Sequence, residues 1–387
     1  MPTPTLPGLV AVATPGVLTG SRTAREVFDA ALRARGLLGS LVLTHDAEEF
    51  RAASTTAART GEFLLLTGDD TPADQLLAHL PDPGTSVVRV DLDARDPDPS
   101  RRVRRHVRWR GTAGLRFAVD DWYFARTSPA ARHDYGPDPD QYAHLRLPDP
   151  DVHGPGPHPV AVLVHGGYWR SRWENDTLQA AATDLTARGF ATWNLEYRRP
   201  DRHGWDATTG DVAAGYAALA DLADLADLAD PAGPLDVART VTLGHSAGGQ
   251  LVTRLTADLP ARGKPALTVS LAGCLDLHSI HARALSEHAV AGALGGTPQE
   301  LPDVYAASSP IARLPLGAPV AVVCCRGDDP DLLDASRRFA DAARAAGEQV
   351  HVVEEDGDHF SVVDPSSRVW AGVVELLTPL LRDDVRG

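Results

Sequence analysis

Residues 240–259 read TVTLGHSAGGQLVTRLTADL, and this stretch decides the fold. An apolar run ends in Gly244-His245-Ser246-Ala247-Gly248, and GQLVTRLTADL continues as a helix. Strand, sharp turn and helix form the context in which G-x-S-x-G lifts a serine hydroxyl above a sheet. The glycines allow a tight, strained turn, and the helix amino terminus favours developing negative charge. Ser246 is therefore the candidate nucleophile.

Working outward, apolar runs recur at 160–165, 191–197, 266–273, 319–325 and 349–355. Helical segments fall between them, at 177–188, 211–226, 331–346 and 366–381. Strands this continuously apolar are buried on both faces, as in a mostly parallel sheet flanked by helices. A serine is a weak nucleophile without a base, and the base needs an acid to orient it. This motif expects them in the chain order Ser, Asp, His. AVVCCRGDDPDLLDAS (321–336) places Asp328 first after a strand, with Asp329 and Asp331 as rivals. VHVVEEDGDHFSVVDP (350–365) places His359 in the loop after the last strand. His245, beside the nucleophile, packs or orients the turn.

A tetrahedral intermediate also needs donors for its oxyanion. Ala247 N–H follows the nucleophile, and His165-Gly166-Gly167-Tyr168-Trp169 follows the strand at 160–165. Gly166 and Gly167 frame the hole, with the Gly167 or Tyr168 N–H as donor, because glycines let amides approach without Cβ interference. Tyr168, Trp169, Trp173 and Tyr197 are expected to line an aromatic pocket, although packing of the loop is an alternative for Trp169. The polar insert 275–310 is a candidate lid. Its His278, His281 and His288 lack convincing metal spacing and are read as solvated surface.

HGGYW, GHSAGG and the late DHF, spread across 135–380, resemble the hormone-sensitive-lipase-like and arylformamidase branch of the α/β-hydrolases. The resemblance implies a Ser246–Asp328–His359 triad with no metal or organic cofactor. It also implies acyl-enzyme chemistry on a small ester or an activated amide such as an N-formyl anilide. Alternatives are acyl transfer to another acceptor, or a non-catalytic binding or scaffold protein that keeps the shape.

The chain is long enough for two domains, at 387 residues. Residues 1–126 repeat strand and helix, predicting a smaller parallel α/β domain. Residues 127–158 form a Pro/Asp-rich joint in which 142–147 alternates like an edge strand, and 159–387 form the catalytic domain. The first unit resembles type II 3-dehydroquinate dehydratase, a flavodoxin-like domain, in its order of elements. Where that family's catalytic tyrosine is expected stand Val27 and Phe28, and the loop Gly68-Asp69-Asp70-Thr71 lacks its histidine. The domain is thus read as a degenerate, non-catalytic relative serving association or positioning, and the assemblies of that family imply self-association into a homo-oligomer. A formal charge of −15 disfavours nucleic acid as a partner. The basic run 101–110 is expected to pair with the chain's own carboxylates or across a subunit interface, with binding of an anionic ligand or partner as the alternative. Three cysteines, Cys274, Cys324 and Cys325, give no disulfide framework. With no apolar run long enough for a bilayer and no signal-like start, the expected location is the cytoplasm, with no membrane partner and a small acyl substrate.

Overall fold

Short apolar runs build an all-parallel sheet in the first unit: β1 (Leu9–Ala13), β2 (Gly39–Leu43), β3 (Phe63–Thr67), β4 (Val87–Asp91) and β5 (Arg105–Val107), in the order β2-β1-β3-β4-β5. The computed structural model describes residues 6–68, 77–80, 87–92, 103–229 and 235–382. The loop from Asp69 onward, a helical segment that the sequence begins at Thr71-Pro72, and residues 93–95 after the fourth apolar run lie outside these. Alternate strand positions feed two cores. Ala11, Leu64, Leu66 and Val88 join Phe28 and Trp122 on one face, while Val12, Phe63, Leu65 and Val87 join Phe50 on the other.

The basic run is a buried strand in its centre rather than a solvated stripe. Arg104 pairs with Glu62 and, at 2.5 Å, with Asp121. Arg105 reaches Asp121 at 3.1 Å, and His106 meets Asp91 at 2.7 Å. Buried carboxylates offset the desolvation of these arginines, which is how so charged a run enters a core.

The chain divides between Pro129 and Ala130. The second unit holds β6 (Ala131–Asp134), β7 (Tyr142–Arg146), β8 (His158–Val164), β9 (Ala191–Leu195), β10 (Leu235–His245), β11 (Leu267–Leu271), β12 (Val320–Cys325) and β13 (Val350–Glu355). Their order is β13-β12-β11-β10-β8-β9-β7-β6, parallel except for the antiparallel pairs β9–β7 and β7–β6. The alternating segment 142–147 is therefore the second strand in, not the edge. The edge is β6, whose polar, exposed ARHD carries no apolar alternation to read and leaves a hydrophilic rim.

Strand β8 fixes the layers. Val160, Val162 and Val164 enter one core with Trp193 and Leu251, while Ala161 and Leu163 enter the other with Leu243 and Trp370. Each large aliphatic side chain so buried contributes about 1.5–3 kcal/mol. Two full cores cover the sheet on both faces and leave the strand ends for chemistry.

Candidate active site

Strand β10 ends at His245, and a helix runs from Ala247 to Asp258. Ser246 between them has φ 55° and ψ −118°, a left-handed conformation that costs a non-glycine residue of order 1–3 kcal/mol. Backbone bonds hold it there. Ser246 N–H donates to Leu271 O at 2.8 Å, and Ser246 O accepts from Gly249 N–H at 2.9 Å. Gly248 is required by contact: a Cβ there would lie 2.0 Å from Val164 O. Ala247 is the first helical residue, so its N–H belongs to the turn of amides without an intrahelical acceptor.

The loop after β8 lies against this turn. A Cβ on Gly166 would sit 2.6 Å from His245 O and 2.7 Å from Ser246 Cβ, so only glycine brings that backbone so close. Gly167, Tyr168 and Trp169 all have positive φ, at 114°, 49° and 57°. Trp169 anchors the strained run. It is buried, donates Nε1–H to Gln250 Oε1 at 3.1 Å and packs edge-on against Trp205.

Behind the loop stands a buried network. The His165 ring stacks on Tyr197 at 4.4 Å, and Tyr197 OH donates to His165 O at 2.9 Å. His165 Nδ1 meets Gly166 O at 2.8 Å, and Nε2 meets Glu196 Oε1 at 3.0 Å. Arg199 pairs with Glu196 and reaches Asp140 at 3.0 Å. Burial alone would raise the Glu196 carboxyl, but the Arg199 and His165 charges outweigh it and hold the group well below its ordinary value.

Asp328 follows β12, and its side chain is nearly fully buried. Its Oδ1 accepts the Asp329 N–H at 2.7 Å. His359 Nδ1 lies 2.9 Å from Asp328 Oδ2 and 3.0 Å from Oδ1. The rivals are otherwise engaged: Asp329 caps the Pro330–Ala345 helix, and Asp331 pairs with Arg283 at 2.6 Å. His245 Nε2–H donates to His359 O at 3.0 Å. Burial and the His359 charge push His245 down to about 3, so it stays neutral.

Ser246 and His359 line one cavity of about 210 Å³, together with Gly166, Gly167, Tyr168 and Trp173. Among the described residues no hydrogen bond joins the Ser246 hydroxyl to His359; such bonds often tighten only once substrate binds. The hydroxyl instead interacts with the buried Cys274 thiol, which burial pushes up to about 12 and so keeps as S–H. Arg172, Thr177, His245, Ser286 and Phe360 complete the wall.

Of the four aromatic residues expected at a pocket, Tyr168 and Trp173 line this cavity, whereas Trp169 and Tyr197 are core residues behind the loop. Phe360, next to His359, was within reach of sequence reasoning. Glu196, Arg199 and Asp140 carried no motif. The insert 275–310 is only partly a cover: Leu277, Ile280, Leu285 and Tyr305 are buried in the core, and Ser286 alone of it reaches the cavity. His278 and His288 are exposed and His281 is half-buried, near Tyr305. Asp138, Asp140 and His203 bring donor atoms within 4.8 Å of one another, but Asp140 is engaged by Arg199.

Residues 150–331 match the BD-FAE family. A search of curated proteins finds no match. Among solved structures, a bifunctional GH43-CE protein of Bacteroides eggerthii superposes with a TM-score of 0.54 at 19% identity, covering 64% of this chain and 35% of that one. The chain thus spans about a third of that protein. Esterase B from Lactobacillus rhamnosis, in a structure inhibited by a tributyrin phosphonate, gives a TM-score of 0.52 at 17% identity, over 64% and 83% of the two chains. A putative thioesterase from a Silicibacter species gives 0.51 at 23% identity, over 66% and 90%. These likenesses show that the second unit has the α/β-hydrolase fold.

Proposed function

We propose that the chain is a serine hydrolase that cleaves a small carboxylic ester or activated amide through an acyl-enzyme. The observation that carries this reading is the pairing of His359 Nδ1 with both Asp328 oxygens, which leaves Nε2 to serve a serine on the same cavity. In the first step Ser246 Oγ attacks the carbonyl carbon and His359 Nε2 takes its proton. Amides of Ala247 and of Gly167 or Tyr168 stabilise the oxyanion. His359 then protonates the leaving group, and the acyl chain stays on Ser246. Water enters, His359 takes its proton, and collapse of the second intermediate releases the acid. Asp328 holds the imidazole in one tautomer and stabilises the imidazolium.

A cavity of about 210 Å³ with Tyr168, Trp173 and Phe360 in its wall supports a short acyl or small aryl group. The esterase and thioesterase neighbours agree with this class, and the arylformamidase-like resemblance extends it to N-formyl anilides. The first unit is read as a non-catalytic domain for association, with Phe28 buried in its core where a tyrosine would be needed for lyase chemistry.

Intact mass after fluorophosphonate treatment tests the reading. One adduct on the wild type, and none on a folded Ser246→Ala protein that also loses turnover, is the expected result. A Ser246→Ala protein that still hydrolyses ester at the wild-type rate rules the triad out.

A further inference from the structure

Strand β11 and the residues after it grip the backbone of Ser246 on both sides. Ser246 N–H donates to Leu271 O at 2.8 Å, and Ser246 O accepts from Cys274 N–H at 3.2 Å. Ala272, between these two anchors, has φ 51° and donates its own N–H to Val323 O at 2.8 Å. Cys274 is thereby held against the nucleophile. Its side chain is buried in the core with Ala247 and Trp169, and there it meets the Ser246 hydroxyl. We infer that, within the serine-hydrolase reading on which this role rests, Cys274 is a positioning residue: its sulfur accepts the Ser246 O–H in the free enzyme, parks the hydroxyl off His359, and releases it when substrate enters.

The hydroxyl needs an acceptor, because Ser246 is 2% exposed. Among the described residues no hydrogen bond joins it to His359, and the thiol is the side chain it does meet. Sulfur is a weak acceptor, good enough to favour one rotamer and poor enough to be exchanged for an imidazole nitrogen. The thiol itself stays out of the chemistry. Burial and the Asp328 charge push it up to about 12 against the lowering effect of the Ser246 hydrogen bond, so it is neither a rival nucleophile nor a base. Cys274 is also not among the residues that line the cavity, so it acts through Ser246 and not on substrate.

Parking has a kinetic signature. While the O–H points at sulfur, only a fraction of the enzyme has its hydroxyl aimed at His359. Apparent affinity for anything that needs that rotamer falls by the same fraction. Once substrate is bound the hydroxyl has already turned, and the chemical step is unaffected. The contact therefore enters kcat/KM and the rate of covalent labelling, and leaves kcat alone.

Two substitutions test this. Cys274→Ala removes the acceptor, and Cys274→Ser supplies a stronger one of nearly the same shape. Both are compared with the wild type in fluorophosphonate labelling rate and in kcat and KM on a p-nitrophenyl ester, with the melting temperature as the check on folding. Labelling rate and kcat/KM should rise about two- to fivefold in Cys274→Ala and fall by a similar factor in Cys274→Ser, the range a weak neutral hydrogen bond supports. In both, kcat should stay at the wild-type value. A cysteine that only fills space would move both variants the same way, since alanine and serine are both smaller. The contact is also read without turnover: the infrared S–H stretching band that Cys274→Ala deletes should shift in Ser246→Ala. A folded wild type that never labels refutes the hydrolase reading and this role with it. A wild type that labels, with the S–H band unmoved or with both variants unchanged or displaced in the same direction, overturns parking alone.

Discussion

Replacing Asp328 by Asn tests the catalytic arrangement with the least change in shape. The carboxylate accepts from two directions, from Asp329 N–H at 2.7 Å on Oδ1 and from His359 Nδ1 at 2.9 and 3.0 Å. An amide in its place has one oxygen, which the Asp329 N–H claims, so its NH2 faces His359. Nδ1 must then become the acceptor, and the ring proton moves to Nε2. An imidazole with its proton on Nε2 cannot accept one from Ser246, and no carboxylate stabilises the imidazolium. The side chain is 2% exposed, so water does not substitute for the lost acceptor. A wrong tautomer of this kind costs about 10⁴ in kcat, or roughly 5.5 kcal/mol of transition-state stabilisation. The assay is kcat on a p-nitrophenyl ester beside the fluorophosphonate labelling rate, with the melting temperature as the check on folding. A folded Asp328→Asn protein within tenfold of wild-type kcat refutes the tautomer argument and the role of Asp328 with it.

Three further substitutions separate the site from its supports. His245→Phe keeps a ring but deletes the donor to His359 O; kcat should fall about 10–100-fold with KM little changed, the cost of a misplaced base. The same variant has a stability signature. His245 is depressed from 6.5 to about 3, so between those values the unfolded chain binds a proton that the folded chain refuses. Stability therefore falls as pH falls through this window, and denaturant midpoints of His245→Phe should show a shallower acid slope. Gly248→Ala should cost at least about 3 kcal/mol in chemical denaturation, because its Cβ meets backbone at 2.0 Å rather than a side chain that can turn away. Arg22→Ala removes an exposed pair with Glu26 and should leave both ester hydrolysis and stability nearly unchanged.

Ser246, Asp328 and His359, the proposed nucleophile, acid and base, could be picked out in the sequence because each follows its own strand within a few residues, and the strands announce themselves as apolar runs. Strand β5 and the edge strand β6 could not, since RHV and ARHD owe their pairing to neighbours rather than to their own pattern. The support of the oxyanion loop was hidden for a similar reason. Asp140, His165 and the Glu196–Arg199 pair lie on three segments up to 59 residues apart, and only the sheet order β8-β9-β7 brings them together. A buried charge network leaves no spacing in the chain, because its geometry is set by strand register.

The pocket shows the same limit at shorter range. In HGGYWRSRW the aromatic residues at 168, 169 and 173 look equivalent, and any of them suits an apolar wall. The three successive positive φ angles at Gly167, Tyr168 and Trp169 turn neighbouring side chains to opposite sides. Tyr168 faces the cavity, Trp169 drops into the core on Gln250, and Trp173 returns to the cavity against Phe360. What selects this turn is the partner available to each ring. The indole N–H of Trp169 finds Gln250 Oε1, whose own Nε2–H is tied to Ser308 O at 2.8 Å, so burial there leaves no donor unmet. The strain of the loop is thus held by one tryptophan on the helix that starts at the nucleophile. Under the proposed mechanism, that coupling makes Trp169 a determinant of oxyanion geometry without contact with substrate.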